Sequence, residues 1–260
     1  FQRLLYRITG ISLSPAKKAL VNGRLSKRIR RRGVSSYGEY FRLLSDDSER
    51  AELQIAVDLL TTNETHFFRE PAHFEVLRTE ALRVDALRTG TARTTFRVWS
   101  AACSSGEEPC SIAMVLADVL GRRPWEILGS DISSRVLERA RGGRYPVERA
   151  REIPPRYLSA YCLRGVRSHA GEMLIRRELR DRVQIRQVNL NAGLPSLGEF
   201  DVIFLRNVMI YFDMETKRQV VRRVAARLRR GGCLIVGHSE SLNGIDERLK
   251  TERPSVYRNE

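Results

Sequence analysis

The chain has 260 residues, enough for one large domain with an appendage, and its 42% hydrophobic content is that of a folded core, not a disordered chain. No apolar run approaches the ~20 residues of a membrane span. The four cysteines (Cys103, Cys110, Cys162, Cys233) and the scattered histidines share no metal-ligand spacing, which predicts free thiols, no metal and a reducing cytoplasm.

Net charge is +15 and unevenly spread: residues 1–50 hold 12 Lys and Arg against 4 Asp and Glu, with the densest run at Lys27–Arg32. Such a patch attracts an acidic partner, whether nucleic acid, anionic membrane or an acidic protein surface. A solvated basic face in an Arg-rich chain explains it equally well. The chain opens at Phe1 without Met, in a basic, helix-like segment that lacks a signal-peptide layout and reads as a trimmed start.

Residues 1–60 read as helical, with segments over Pro15–Arg32, Tyr37–Leu44 and Ser48–Leu60. In the last, Leu53, Ala56, Val57 and Leu60 form an i, i+3, i+4, i+7 stripe. Thr61–Thr65 breaks the pattern as a linker, and Pro71 starts a helix with Phe74, Leu77 and Leu82 inward. From residue 94 strands and helices alternate: strand Phe96–Trp99, helix Pro109–Leu120, strand Ile127–Gly129, and a helix capped by Ser133. Strands Val183–Val188 and Asp201–Leu205 follow, then helix Glu215–Leu228 with a Gly231-Gly232 stop, strand Leu234–Val236 and a last strand near Val256-Tyr257. Alternation of this kind predicts a mainly parallel sheet covered by helices on both faces. The interval from Arg141 to Val183 is too long for a connection; Tyr161–Leu163 and Met173–Ile175 read as a β-hairpin within an inserted subdomain.

The turn after the first strand, in Val98–Ala113, is the most informative segment. A phosphate cradle needs several glycines and no negative charge beside its amides. This turn has one glycine followed by Glu107 and Glu108, which suits a cationic ligand such as S-adenosylmethionine, with its sulfonium and ammonium, and so suggests a methyltransferase. Asp131 ends the second strand 24 residues past Glu107, where an acidic side chain accepts the hydroxyls of a ribose, although capping the next helix would also explain it. Asn189-Leu190 ends the third strand and offers an amide for an adenine edge. After the apolar strand Asp201–Leu205 come Arg206 and Asn207, a polar pair that a plain core strand does not need, and then Tyr211 and Phe212.

The segments TTNETHFFRE, VWSAACSSGEEPCSIA, GSDISSRVLERAR, FDVIFLRNVMIYFD and GGCLIVGHSE resemble, in order, the motifs of the chemotaxis receptor methyltransferases, the CheR family. The resemblance spans essentially the whole chain, and its Asn-x-Thr-x-Phe-Phe-Arg and Arg-Asn-Val-Met-Ile-Tyr-Phe motifs are specific. It implies a Rossmann-like α/β sheet for S-adenosylmethionine-dependent methyl transfer, with a small N-terminal helical domain and an inserted small β-subdomain. The implied organisation is a basic substrate-recognition domain over residues 1–62, a linker over 63–70, and a catalytic domain over 71–260 carrying the insert at about 145–182. Carried onto matching positions, Asn63, Thr65, Arg69, Glu107, Asp131, Asn189, Leu190, Asn207 and Val208 bind the cofactor, and Arg69 and Tyr211 border the methyl group as catalytic residues. Glu64 departs from an apolar residue of some relatives, and Cys103 and Cys110 replace commoner small and aromatic residues.

The implied reaction converts glutamate side chains on chemoreceptor cytoplasmic helices to methyl esters, with S-adenosylhomocysteine as product. Arg28, Arg30, Arg31 and Arg32 would recognise the acidic receptor helices, and the hairpin edge would offer a strand-addition site for a receptor tail. A monomer, without nucleic acid or membrane insertion, is expected. Two alternatives compete. A nucleic-acid methyltransferase fits the charge, but the chain lacks an Asn/Asp-Pro-Pro-aromatic pocket, and 7% aromatic residues give no stacking surface. A non-catalytic cofactor-binding module would not need every motif position filled with a usable residue.

Overall fold

The computed structural model describes residues 1–88 and 94–260. Four helices come first: α1 (Gln2–Thr9), α2 (Lys18–Arg31), α3 (Tyr37–Leu44) and α4 (Arg50–Leu60). Then follow α5 (Ala72–Leu87), β1 (Phe96–Ala101), α6 (Glu107–Leu120), β2 (Trp125–Asp131), α7 (Ser134–Gly142), β3 (Arg144–Pro146), α8 (Pro155–Tyr161), β4 (Cys162–Arg164) and β5 (Glu172–Ile175). The chain closes with α9 (Arg177–Arg180), β6 (Val183–Gln187), β7 (Phe200–Leu205), α10 (Met214–Ala225), β8 (Leu228–Val236), β9 (Leu249–Arg253) and β10 (Val256–Asn259).

The main sheet has seven strands in the order β6-β2-β1-β7-β8-β10-β9. The first five are parallel, and β10 and β9 add an antiparallel edge. Because side chains alternate along a strand, the sheet feeds two separate cores. Val98, Val202 and Phe204 pack under α5 and α6, whereas Trp99, Ile203 and Leu205 pack under α10. The order reverses at β1, with β2 on one side and β7 on the other, so the carboxyl ends of these strands form the crevice where open α/β sheets bind ligands.

The N-terminal helices have a core of their own, built on Leu25, Tyr40, Leu44, Ala56 and Leu60. Inside it Glu52 accepts hydrogen bonds from Arg28 and from the Tyr40 hydroxyl, so the charge is buried with its partners. The hydrogen bond from Arg28 holds Glu52 below the usual carboxylate range against the opposing effect of burial. The insert forms a three-stranded antiparallel sheet, β3-β5-β4. Its Tyr145 is buried and donates to the Ser105 carbonyl, fastening the insert to the turn after β1.

Several elements differ from the sequence expectation for identifiable reasons. The helix expected from Pro15 begins at Lys18, after a short 3-10 turn at Pro15–Lys17. Leu82, expected inward, is 50% exposed; Ala81 takes the inner position instead. Gly231 and Gly232 do not end α10 but lie inside β8, where the pairing with β7 shifts register and Gly231 takes a φ of 71°. Ser133 precedes α7 yet makes no side-chain cap. Asp58, from α4, does that work: its carboxylate accepts from the Ser134 and Arg135 amides and the Ser134 hydroxyl, joining the helical domain to the sheet.

Candidate cofactor-binding and catalytic site

A cavity of about 320 Å³ opens at the carboxyl ends of the parallel strands, a volume suited to a small organic ligand. Four strand ends contribute to its wall: Ala102–Ser104 after β1, Asp131 and Ile132 after β2, Val188–Leu190 after β6, and Arg206–Val208 after β7. The linker Thr61–His66 with Arg69 forms another side, and residues of the helical domain, among them Thr9, Ile11, Lys17 and Arg24, close the cavity. Asn63, Thr65, Arg69, Asp131, Asn189, Leu190, Asn207, Val208 and Tyr211 are thus brought together on one wall system.

Backbone strain is concentrated here. Among the described residues seven non-glycine residues have positive φ, and five of them (Phe68, Glu70, Ala102, Ser104, Asn207) belong to the loops around this cavity. Such conformations persist only where surrounding contacts enforce them, and they collect at binding sites. Gly106, at φ 96°, completes the turn into α6; a Cβ there would come within 2.8 Å of Ala140 and the Tyr145 hydroxyl.

Three acidic residues line the cavity, Glu64 from the linker and Glu108 and Asp131 from the sheet side, and one of the expected pair is missing. Glu107 is not on the wall. At the first position of α6 its side chain turns into the protein and accepts a hydrogen bond from the Ser105 hydroxyl, and burial raises its pKa. Glu108, one residue and about 100° further round the helix, lines the cavity instead, held by the Ser100 hydroxyl and by Arg206. Asp131 accepts from the Ser104 and Ser133 amides, each at 2.9 Å, while burial pushes its pKa up against those hydrogen bonds. Each oxygen retains a lone pair for a ligand hydroxyl.

Asn189 reaches the wall with its amide already engaged. It donates to the Ile8 carbonyl at 2.7 Å and accepts from the Asn191 amide at 2.9 Å, so the side chain expected to meet an adenine edge fastens the N-terminal segment over the cavity. Ser12 strengthens the closure by donating its amide to the Tyr211 carbonyl. Residues Thr9–Ser14 carry no motif, and nothing in their sequence marked them as cavity wall.

Behind the wall lies a charged network. Buried Arg206 bridges Glu108 and Glu70 and also donates to the Arg69 carbonyl. Glu70 accepts further from the Asn207 side chain. Burial works against the Glu70 charge, but Arg206, Asn207 and the His238 amide together hold its pKa down at about 2. His73, buried beside it, is pushed down to about 4 by desolvation and the Arg206 charge, and stays neutral. Glu70, His73 and His238 offer ligand atoms within 4.8 Å of one another, yet Arg206 sits on the same Glu70 carboxylate, and its positive charge opposes a metal ion there.

A pH test follows. Glu70 has a folded pKa below the ordinary 4.5, so its pairing stabilises the fold fully above that value and is lost as pH falls toward about 2. Glu70→Gln is expected to lower Tm at pH 7 and to flatten the fall in Tm between about pH 4.5 and pH 2.5. Parallel calorimetric curves for mutant and parent would contradict this.

The basic residues sort differently from expectation. Arg28 pairs with Glu52, and Arg32 with Glu49 and Glu52, so two of the four expected recognition arginines serve the helical core. Arg30 and Arg31 are exposed. At 100° per residue, Arg31 and exposed Lys27 continue the face of cavity-lining Arg24, whereas Arg30 points about 120° away from it.

A seven-stranded sheet of this order, with a ligand cavity at its reversal and carboxylates instead of a phosphate cradle, defines an S-adenosylmethionine-dependent methyltransferase carrying an N-terminal helical domain. Comparison with known proteins is specific. The model of the CheR methyltransferase SAM-binding domain matches residues 63–257, and that of the CheR all-alpha domain matches residues 1–61. The chain belongs to the CheR methyltransferase family. It is 42% identical over 258 residues to the chemotaxis protein methyltransferase of Escherichia coli, covering 98% of this chain and 87% of that protein. It is 40% identical over 260 residues to the one of Salmonella typhimurium, with the same coverage of each chain. Against chemotaxis protein methyltransferase 2 of Pseudomonas aeruginosa it is 43% identical over 256 residues, covering 97% of this chain and 89% of the relative. No helix among the described residues is long and apolar enough to cross a membrane.

Proposed function

We propose that the protein methylates glutamate side chains on the acidic cytoplasmic helices of chemoreceptors, and does so in the cytoplasm. The observation that carries this reading is the mixed lining of one cavity. Asp131 and the Arg206-paired Glu108 line it from the sheet, suited to a cofactor with ribose hydroxyls and a cationic group, while Lys17 and Arg24 of the helical domain and Arg69 of the linker add positive charge suited to an anionic acceptor. A cavity lined by both signs can take a cationic donor and an anionic acceptor together.

When bound, S-adenosylmethionine supplies a methyl group activated by positive sulfur. Glu108, Asp131, Leu190, Asn207 and Val208, all lining the cavity, would hold it. The acceptor carboxylate, with an ordinary pKa of ~4.3, is ionised at neutral pH, so this chain need not provide a general base. Its task is to place the carboxylate in line and exclude water. Arg69 is half-buried on the wall and uses its guanidinium on the Glu64 carbonyl at 3.2 Å, which leaves donors free to orient an incoming carboxylate. A tight ion pair would blunt the nucleophile, so Arg69 orients and does not neutralise. The three-residue strand β4 forms one edge of the small sheet, carries exposed Leu163 and is followed by exposed Val166, and would offer an extended receptor segment a place to add a strand.

The test is transfer of labelled methyl from the cofactor to receptor signalling domain, RNA and DNA in parallel, followed by base. A methyl ester releases methanol in base; label in RNA or DNA that survives base would refute the reading. Arg69→Ala and Tyr211→Phe are expected to lower kcat on receptor by about 10- to 100-fold, the order of one lost hydrogen bond to a charged group. Cofactor affinity, measured by calorimetry, should change less than turnover. Wild-type turnover in Tyr211→Phe would leave only the ring with a role.

A further inference from the structure

We propose that Glu240, in the turn after β8, is the positioning residue for the loop Arg206–Tyr211, and that it sets the geometry of cofactor binding without touching the cofactor. The inference rests on the methyltransferase reading of the cavity. Glu240 closes the Gly-His-Ser-Glu segment, residues 237–240.

Glu240 is buried, and its carboxylate accepts four backbone hydrogen bonds. Oε2 takes the amides of Asn207 and Gly237, each at 2.8 Å. Oε1 takes Met209 at 2.8 Å and Ile210 at 3.3 Å. Three of the four donors belong to the cofactor loop and the fourth to the turn carrying Glu240. One ionised side chain therefore does what a turn of helix would otherwise do for consecutive amides. It supplies charge-assisted acceptors to buried N–H groups that would be left unpaired without it.

What this arrangement holds is a strained conformation. Asn207 sits at φ 56°, in the left-handed region, on the cavity wall, with its side-chain amide donating to Glu70. Relaxation of that φ would swing Val208 and Tyr211 away from the cavity they line. Gly237 is the second part of the device. A Cβ there would fall 2.5 Å from Asn207 Nδ2 and 2.9 Å from Glu240 Oε2, so only glycine lets the turn close this tightly on the loop. Two residues of the turn after β8 thus fix the conformation of one residue at the end of β7.

The experiment compares Glu240→Gln and Gly237→Ala with a control from β10, Tyr257→Phe, which removes the hydroxyl that accepts the Leu242 amide just past the turn but touches no residue of the loop Arg206–Tyr211. S-adenosylhomocysteine affinity is read by calorimetry well below each Tm. Glu240→Gln turns an NH₂ group toward N–H donors and loses two of the four acceptances, so Kd is expected to rise at least tenfold, about 1.4 kcal/mol. On receptor, kcat should fall while KM for receptor stays within twofold. Tyr257→Phe should lower Tm and leave Kd within twofold. Equal Kd in Glu240→Gln and the parent, or an equal rise in Tyr257→Phe, would overturn the proposal by reducing Glu240 to a structural group. Should Glu240→Gln fail to fold, Gly237→Ala decides on the same criterion: a tenfold rise in Kd supports the device and an unchanged Kd refutes it. Because Kd is read with cofactor product alone, the comparison stands whether or not the receptor proves to be the methyl acceptor.

Discussion

Asp131→Ala is expected to weaken S-adenosylmethionine binding by about 1.5–3 kcal/mol, roughly 10- to 150-fold, the range for charge-assisted hydrogen bonds lost from a buried carboxylate. The side chain lies on the cavity wall at the end of β2, and backbone amides from two loops fix its orientation. That fixation has a second consequence. Alanine leaves the Ser104 and Ser133 amides without their acceptor, so the mutant should also lose stability, by about 1–3 kcal/mol for each unsatisfied amide that water does not reach. The two effects separate by measurement: calorimetric titration at a temperature where both proteins are folded reports the cofactor alone. Asp131→Asn keeps one acceptor oxygen but turns its NH₂ toward one of the amides, and should fall between alanine and the parent in affinity. An unchanged Kd in folded Asp131→Ala would show that Asp131 only braces the turn.

Much of this site was legible because strand ends announce themselves. An apolar β-branched run followed by Arg206 and Asn207, or by Asp131, signals that the polar residue sits where the sheet stops, and the structure puts those residues on one cavity. Side-chain direction was not legible. Glu107 and Glu108 are chemically equivalent in a sequence; only the orientation of α6, set by Gly106 and the packing of Tyr145, decides which one faces the cavity. Asn189 lies on the cavity wall, but its amide is spent on Ile8, a partner 181 residues away that no local pattern reveals. The cap of α7 followed the same rule: Ser133 has the right residue type and position, and Asp58 from another domain does the work. Local propensity reads elements and polar strand ends well, and long-range hydrogen bonds reassign individual side chains afterwards.

The same distinction sharpens what is expected of the basic helix. Reversing Lys27 and Arg31 to Glu is expected to raise KM for receptor about tenfold at low salt, taking each reversal as somewhat more than the 0.2–1 kcal/mol of an exposed ion pair, with cofactor affinity unchanged. These two are chosen because they are exposed and continue the α2 face that carries Arg24 to the cavity. Arg28 and Arg32 are poor choices: they are paired with Glu49 and Glu52, so reversing them would unfold the helical domain and imitate a recognition defect. Arg30 supplies the internal control. It is exposed like Arg31 but points away from the Arg24 face, so Arg30→Glu changes net charge as much as Arg31→Glu alone, with little effect on KM. If long-range steering by net charge dominated, all reversals would act alike; if a receptor helix lies along the Arg24 face, position matters. Salt gives the second axis. The Debye length falls from ~10 Å at 0.1 M to ~3 Å at 1 M, so the Lys27 and Arg31 defect should shrink as salt rises, with the parent's own KM rising to meet the mutant's. Equal KM for mutant and parent at low salt would mean that this face is merely solvated. A defect that persists at 1 M would mean that contact geometry, not charge, holds the receptor there.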